Sequence, residues 1–134
     1  MMRQHGLFSM AWNGPILVVR YLDTWNMEAV LALHQAAQSA WTARTFPQWA
    51  MLSDLSHWDG ATPETLERWW VFFDDCVAQG LTTVTDIFSS QFHGLLVESV
   101  AQRASALVNY RRSDNRTEAF SWLAAQGFAA DARQ

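Results

Sequence analysis

The chain has no lysine: all nine of its basic residues are arginines, set against thirteen Asp and Glu, for a formal net charge of −4 over 134 residues. Binding to a phosphate backbone needs a positive field, so this balance excludes nucleic acid as the expected partner. Cysteine is reduced to Cys76, which excludes an internal disulfide and a cysteine-based zinc site. Asp74 and Asp75 precede it, the opposite of the electropositive surroundings that activate a thiol, so Cys76 reads as buried and structural. No apolar run approaches the roughly 18 residues of a spanning helix, and the start "MMRQHGLFSMAWNGP" does not read as a secretory leader. A cytoplasmic domain is expected. G-x-G-x-x-G, P-loop, H-E-x-x-H and G-x-S-x-G motifs are all missing. His5, His34, His57 and His93 are too scattered for a ligand set, so neither metal nor cofactor is expected. His34 sits on the apolar side of its helix, where a hydrogen-bonded core histidine is commoner than a ligand.

What the chain does have is apolar bulk. Half of its residues are hydrophobic and eight are tryptophan, enough for a core within one domain, 1–134. No linker or internal repeat interrupts it. Gly6 to Trp12, then Asn13-Gly14, then Pro15 to Leu22 predicts a hairpin with Asn13-Gly14 in a tight two-residue turn. The first strand alternates large residues (Phe8, Met10, Trp12) with smaller ones, while Ile16–Val19 does not alternate, which suggests burial on both faces. A helix follows from about Trp25 to Ala43 with Met27, Val30, Leu31, His34 and Trp41 on one side. Strands are expected at Trp49–Leu55, Thr82–Phe88 and Ala106–Tyr110. The helix after the first of these has Thr62 as cap, Pro63 at its first position, Glu64 at its positive end and Gly80 beyond its close. A third helix runs through Phe92, Leu95, Leu96 and Val100, and a last one starts near Asp114-Asn115 and stops near Gly127. The order β-β-α-β-α-β-α-β-α predicts an α/β domain: a five-stranded, mostly parallel sheet with an N-terminal antiparallel hairpin.

"ERWWVFFDDC", Glu67 to Cys76, is the densest apolar run. Stepped at about 100° per residue, Leu66, Trp69, Trp70, Phe73, Cys76 and Val77 share an arc of roughly 120°, a core-facing stripe. Phe72 flanks it and Val71 falls on the polar side. Two Trp and two Phe on one helix, each able to bury roughly 150–250 Å², leave two readings: a core stripe, or one that also walls a pocket or interface.

The order of elements, "AMLSDLSHWDGATPETLERW" with Asp54-Leu55-Ser56 before a capped helix, and "NRTEAFSWLAAQG" with Glu118 to Leu123 in its last helix, resemble the STAS superfamily. The resemblance is closest to its SpoIIAA-like bacterial branch and spans nearly the whole chain. It implies helices mainly on one side of the sheet and a shape overlapping the CRAL-TRIO lipid carriers. It further implies apolar-ligand binding or peripheral contact with the inner membrane face, and no enzymatic activity. Anti-anti-sigma members carry a phosphorylatable serine in an Asp-Ser-Ser-Gly-like loop; this chain has Asp59-Gly60-Ala61-Thr62 there, which puts that switch in doubt. Thr62 as an N-cap is the simpler reading.

Asp54 in "LSDLS" and Asp86 in "VTDIFS" both stand near strand C-terminal ends, where parallel sheets form their ligand crevices. On neighbouring strands the two would approach and one would titrate high; the alternative is that each accepts hydrogen bonds from its own loop. Any site is therefore expected at this rim (Asp54, Ser56, His57, Trp58, Thr62, Asp86, Ser89, Ser90), with Trp25, Trp69 and Phe73 as apolar wall. The Trp25 loop is also an expected membrane contact, and Arg111-Arg112 a basic pair for an anionic headgroup or simply solvated. The leading expectation is a non-enzymatic binding domain for a small apolar or lipid-like ligand. The alternative is a regulatory protein-interaction module, and third a small hydrolase using the rim carboxylates. A homodimer is compatible with each.

Overall fold

The computed structural model describes residues 3–92 and 95–131; His93 lies outside them. Strands β1 (Leu7–Asn13) and β2 (Ile16–Trp25) form the expected hairpin, paired from Asn13↔Ile16 to Leu7↔Leu22. Its two-residue turn is Gly14-Pro15, one position later than the sequence suggested. Gly14 takes φ +60° and proline fixes its own φ negative, the sign pattern of a type II′ turn. Asn13 ends β1 instead, and its side-chain oxygen accepts the Asp131 N–H at 2.7 Å.

The remaining elements are α1 (Met27–Thr42), β3 (Trp49–Ala61), α2 (Pro63–Ala78), β4 (Leu81–Phe88), α3 (Leu95–Ser105), β5 (Asn109–Arg112) and α4 (Arg116–Ala125), in the expected order. The five strands lie in sequence order β1-β2-β3-β4-β5, with β1 antiparallel to β2 and the rest parallel. Right-handed crossovers that always step the same way place each connecting helix on the same face. Accordingly α1, α2 and α3 cover Val19, Tyr21, Met51, Leu55 and Val84. Helix α4 follows the last strand, makes no crossover, and packs Ala119 and Leu123 on Ile16, Ala50, Leu52 and Ile87 of the other face.

Some bounds differ for identifiable reasons. Helix α1 begins at Met27 because Trp25 still pairs in β2, and Asn26 caps it by accepting the Ala29 N–H. Its stripe is rotated: Leu33 is fully buried while Leu31 is 41 % exposed. β5 starts three residues later than the expected Ala106–Tyr110 and ends at Arg112, because α3 runs to Ser105 and a turn follows. In α2, Thr62 caps and Gly80 (φ +107°) follows the close, as expected. Phe72 is wholly buried rather than flanking, because α1 packs along that side and His34 meets its ring edge-on. Val71 is exposed, as the wheel placed it.

His34 is the hydrogen-bonded core histidine expected. Nδ1 faces an Arg68 guanidinium nitrogen at 3.1 Å, and guanidinium only donates. That fixes the tautomer: Nε2–H donates to Asp75 at 2.7 Å, locking α1 to α2.

Candidate functional site

β3 is nearly twice the length expected, and its extension builds a recess on the helical face. Beyond Phe88, where β4 stops, β2 and β3 continue as a two-stranded ribbon through Leu22↔His57 and Trp25↔Ala61. The ribbon has two register shifts, between Arg20 and Leu22 and between Asp23 and Thr24, each adding one residue on the β3 side. Each extra residue reverses strand parity. Leu55, Trp58 and Ala61, three apart, therefore all face the same space, which simple alternation would forbid. That space is a recess of about 50 Å³. Its roof is Tyr21 and Trp25 of β2 with Leu55, Trp58 and Ala61 of β3. Its sides are Val30 of α1, Thr65, Leu66 and Trp69 of α2, and Leu96 and Val100 of α3. Asp86 and Phe88 of β4 close it.

Across the sheet beneath runs a buried polar row. Trp69 Nε1 donates to the Tyr21 hydroxyl at 3.0 Å, and the Tyr110 hydroxyl donates to Asp86 Oδ2 at 2.9 Å. Ser53, paired with Asp86 in the β3–β4 register, lies between these bonds. Its hydroxyl is close enough to lower the pKa of both Asp86 and Tyr21, yet meets no partner at hydrogen-bonding geometry. Burial, against these hydrogen bonds, pushes the Asp86 carboxyl up to about 7. Burial likewise raises both tyrosine hydroxyls, helped by the Asp86 charge.

The expected pairing of Asp54 with Asp86 does not occur. Asp86 is opposite Ser53, so Asp54, one residue on, faces the other side of the sheet. There Arg116 of α4 donates to its Oδ2 at 3.1 Å, and the Ser56 hydroxyl and N–H donate to its Oδ1 at 2.6 and 3.0 Å. Burial alone would raise the Asp54 pKa, but these bonds outweigh it and hold the carboxyl below its ordinary value. Asp86 is thus the high-titrating carboxyl, through burial and not through a second charge.

Of the residues expected at the site, Trp25, Trp58, Trp69 and Asp86 meet in the recess. Thr62 stands just outside, accepting the Thr65 N–H and donating to the Thr65 hydroxyl. Phe73 is core, stacked on Trp69 with centroids 5.3 Å apart. Ser90 is exposed, and the Ser89 hydroxyl is buried without a partner among the described residues. Exposed His57 meets the Ser56 hydroxyl through Nδ1 at 3.1 Å. That hydroxyl already donates to Asp54, so His57 donates to it and cannot act as its base. Trp25, expected at a membrane, is only 4 % exposed; its ring lies under Gly6 and donates to the Leu22 carbonyl. Tyr21, Ser53 and Tyr110 went unnoticed in the sequence. Tyr21 shares the parity of Leu17 and Val19 in β2, which was a signal for its inward position.

Among the described residues, no three His, Cys, Asp or Glu side chains converge to hold a metal, and no helix is long and apolar enough to cross a membrane. Cys76 is buried, and burial and Asp75 push its thiol well up. Arg111 reaches Glu118 at 3.6 Å, both partly exposed.

No family model and no curated protein matches the chain. A solved structure is similar to it: an uncharacterized DUF3478-family protein with a SpoIIAA-like fold from Shewanella loihica PV-4. The likeness covers 92% of this chain and 98% of that one, at a TM-score of 0.66 and 15% identity. At that identity it speaks for architecture alone. With its hairpin-led, sequentially ordered sheet and three helices on one face, the chain has a SpoIIAA-like fold.

Proposed function

We propose that this protein is a non-catalytic binding domain that takes the apolar end of a small molecule into the recess beneath the β2–β3 ribbon. The observation that carries this reading is a wall of Trp25, Trp58, Trp69, Phe88, Leu96 and Val100 around a single carboxyl. Apolar pockets with few placed polar groups are the usual form of a small-molecule site. At about 50 Å³ the recess suits the tip of a ligand and not a whole acyl chain; pockets for entire drug-sized molecules run to roughly 300–1,000 Å³. The non-catalytic reading draws on the separation of Asp54 from Asp86, which removes the paired carboxylates a small hydrolase would use.

NMR titration with n-butanol tests it. The indole N–H signals of Trp25, Trp58 and Trp69 should shift saturably while that of Trp122, on the other face, stays still. Val100→Phe, which fills the recess, should abolish the shifts without loss of the folded spectrum. Shifts spread over all the indoles, or none at the three recess indoles, would overturn the reading.

A second reading, a regulatory protein-interaction module, is favoured by one observation. Leu31 (41 % exposed) lies one turn before His34, and Val71 (53 %) lies between the Arg68 and Asp75 that grip it. Both therefore flank the α1–α2 contact on its outer side, an apolar pair available to a partner. Loss of partner binding in Leu31→Asp and Val71→Asp, with n-butanol shifts retained, would favour this reading over the first.

A further inference from the structure

We propose that the recess selects a protonated amine: an ammonium head that enters between Trp25, Trp58 and Trp69 and pairs with Asp86, its apolar tail pointing out. The inference rests on the recess being a binding site and adds the chemical class of what it binds.

Three observations converge on a cation. First, the walls are rings. Trp25, Trp58, Trp69 and Phe88 all line the space, and indole faces attract cations most strongly where water is excluded. Second, among the described lining residues the one charge-bearing group is a carboxyl. Asp86 is 3 % exposed and its Oδ2 accepts one hydrogen bond, from Tyr110. A carboxylate has sites for about four such bonds, so most of its capacity to accept is unused by the protein. Third, Ser53, opposite Asp86 and behind the recess lining, is 1 % exposed, and its hydroxyl meets no partner at hydrogen-bonding geometry among the described residues. Buried polar atoms are ordinarily paired, so an under-bonded carboxyl next to an orphaned hydroxyl marks a place where donors are wanted.

The alternatives fit less well. A carboxylate or phosphate ligand would meet Asp86 as a like charge, and the described lining residues include no arginine to offset it. Arg103 is taken up over the Trp70 ring at 4.5 Å and by Glu67 at 3.0 Å. A hydroxyl head brings one donor and no charge, whereas an ammonium brings three donors and the charge together. Size agrees: a recess of about 50 Å³ takes a small head group and leaves a longer tail outside.

Among the described residues, the ionisable and charged groups around Asp86 are Tyr21 of β2, Tyr110 and Arg112 of β5, and Cys76 of α2 near Tyr21. Both hydroxyls and the thiol are raised and stay neutral, and α3 contributes apolar Leu96 and Val100. Asp86 is then the group whose ionisation gates the site. An entering ammonium displaces its proton, so amine binding should strengthen as pH rises through about 7.

The test compares n-butylammonium, n-butanol and butyrate by the indole shifts of Trp25, Trp58 and Trp69 near pH 8. Butylammonium should bind at least about ten-fold more tightly than butanol, a difference of ~1.4 kcal/mol, and butyrate most weakly. Asp86→Asn should erase the preference while leaving butanol binding in place, and its thermal melt checks that it folds. Trp58→Leu, which keeps the carboxyl, should lower butylammonium affinity more than butanol affinity. If butanol binds as tightly as butylammonium, or Asp86→Asn keeps the preference, the amine assignment is overturned and the apolar site stands. If none of the three compounds shifts the recess indoles, both are overturned.

Discussion

Asp54 and Asp86 sit one register step apart on adjacent strands, and the sheet between their side chains sends their titrations in opposite directions. For Asp86 the raised value has a signed consequence. Between the ordinary 3.8 and about 7, the native carboxyl keeps a proton that the unfolded chain releases. Stability therefore falls as pH rises through that window and levels off above it, with a slope of at most about 1.4 kcal/mol per pH unit. Asp86→Asn should flatten the fall and make the protein more stable than wild type near pH 8, as read by urea unfolding across pH. A variant with an unchanged slope would mean that another group carries it. Asp54 acts in the opposite sense: its contribution is present above the ordinary carboxylate range and is lost as pH drops below it. Gly80 shows a second kind of residue-scale constraint. At φ +107° a Cβ there would strike the Pro47 carbonyl oxygen, beside Trp49, whose Nε1 donates to the Gln79 carbonyl. Gly80→Ala should cost at least ~1–3 kcal/mol in urea unfolding, from backbone strain before any contact is counted.

Element by element, the helices were more legible than the strands. The α2 signals Thr62, Pro63 and Gly80 each act locally, through one hydrogen bond, one fixed φ and one positive φ, so sequence alone carries them. Thr62→Ala should cost about 1 kcal/mol, and Thr62→Asn, which can cap but has no hydroxyl to phosphorylate, should restore most of it, which separates capping from any role as a phosphate acceptor. The extension of β3 was not legible because its cause is not local. His57 to Ala61 pairs with Leu22 to Trp25, far back along the chain, and two inserted residues break the alternation by which a strand is recognised. The same bulges decide what the rim residues became. Asp54, expected near a strand end, stands midway along the extended β3, where the pairing with β4 is about to end, and only the register reveals that its side chain faces α4. Trp58 could be suspected, but its inward aim depends on the first bulge. The aromatic run of α2 was open between core and pocket wall, and the structure divides it: Phe72 and Phe73 are core, and Trp69 stacks on Phe73 and also lines the recess.

At the scale of the whole molecule, the sheet separates two cores that share no side chain. One gathers three helices, most of the aromatic residues and the recess; the other is a small cluster under α4. In β2 and β3 ahead of the bulges, even and odd positions report to different cores, so the two are linked there by backbone and not by packing. Substitutions on opposite faces should then be close to additive. Leu123→Ala, fully buried under α4, should cost about 2–5 kcal/mol through transfer and cavity terms. Phe72→Leu, fully buried beneath α1 and α2, should cost about 1 kcal/mol. The double variant should differ from the sum by no more than about 0.5 kcal/mol, and urea unfolding of the four proteins closes the cycle. Leu123→Ala should also leave the n-butanol shifts of Trp25, Trp58 and Trp69 unchanged, since it touches no wall of the recess. A coupling well above that limit, or a changed recess in Leu123→Ala, would mean that the central strands transmit strain from one face to the other. The α4 side would then be a lever on the site and not merely its support.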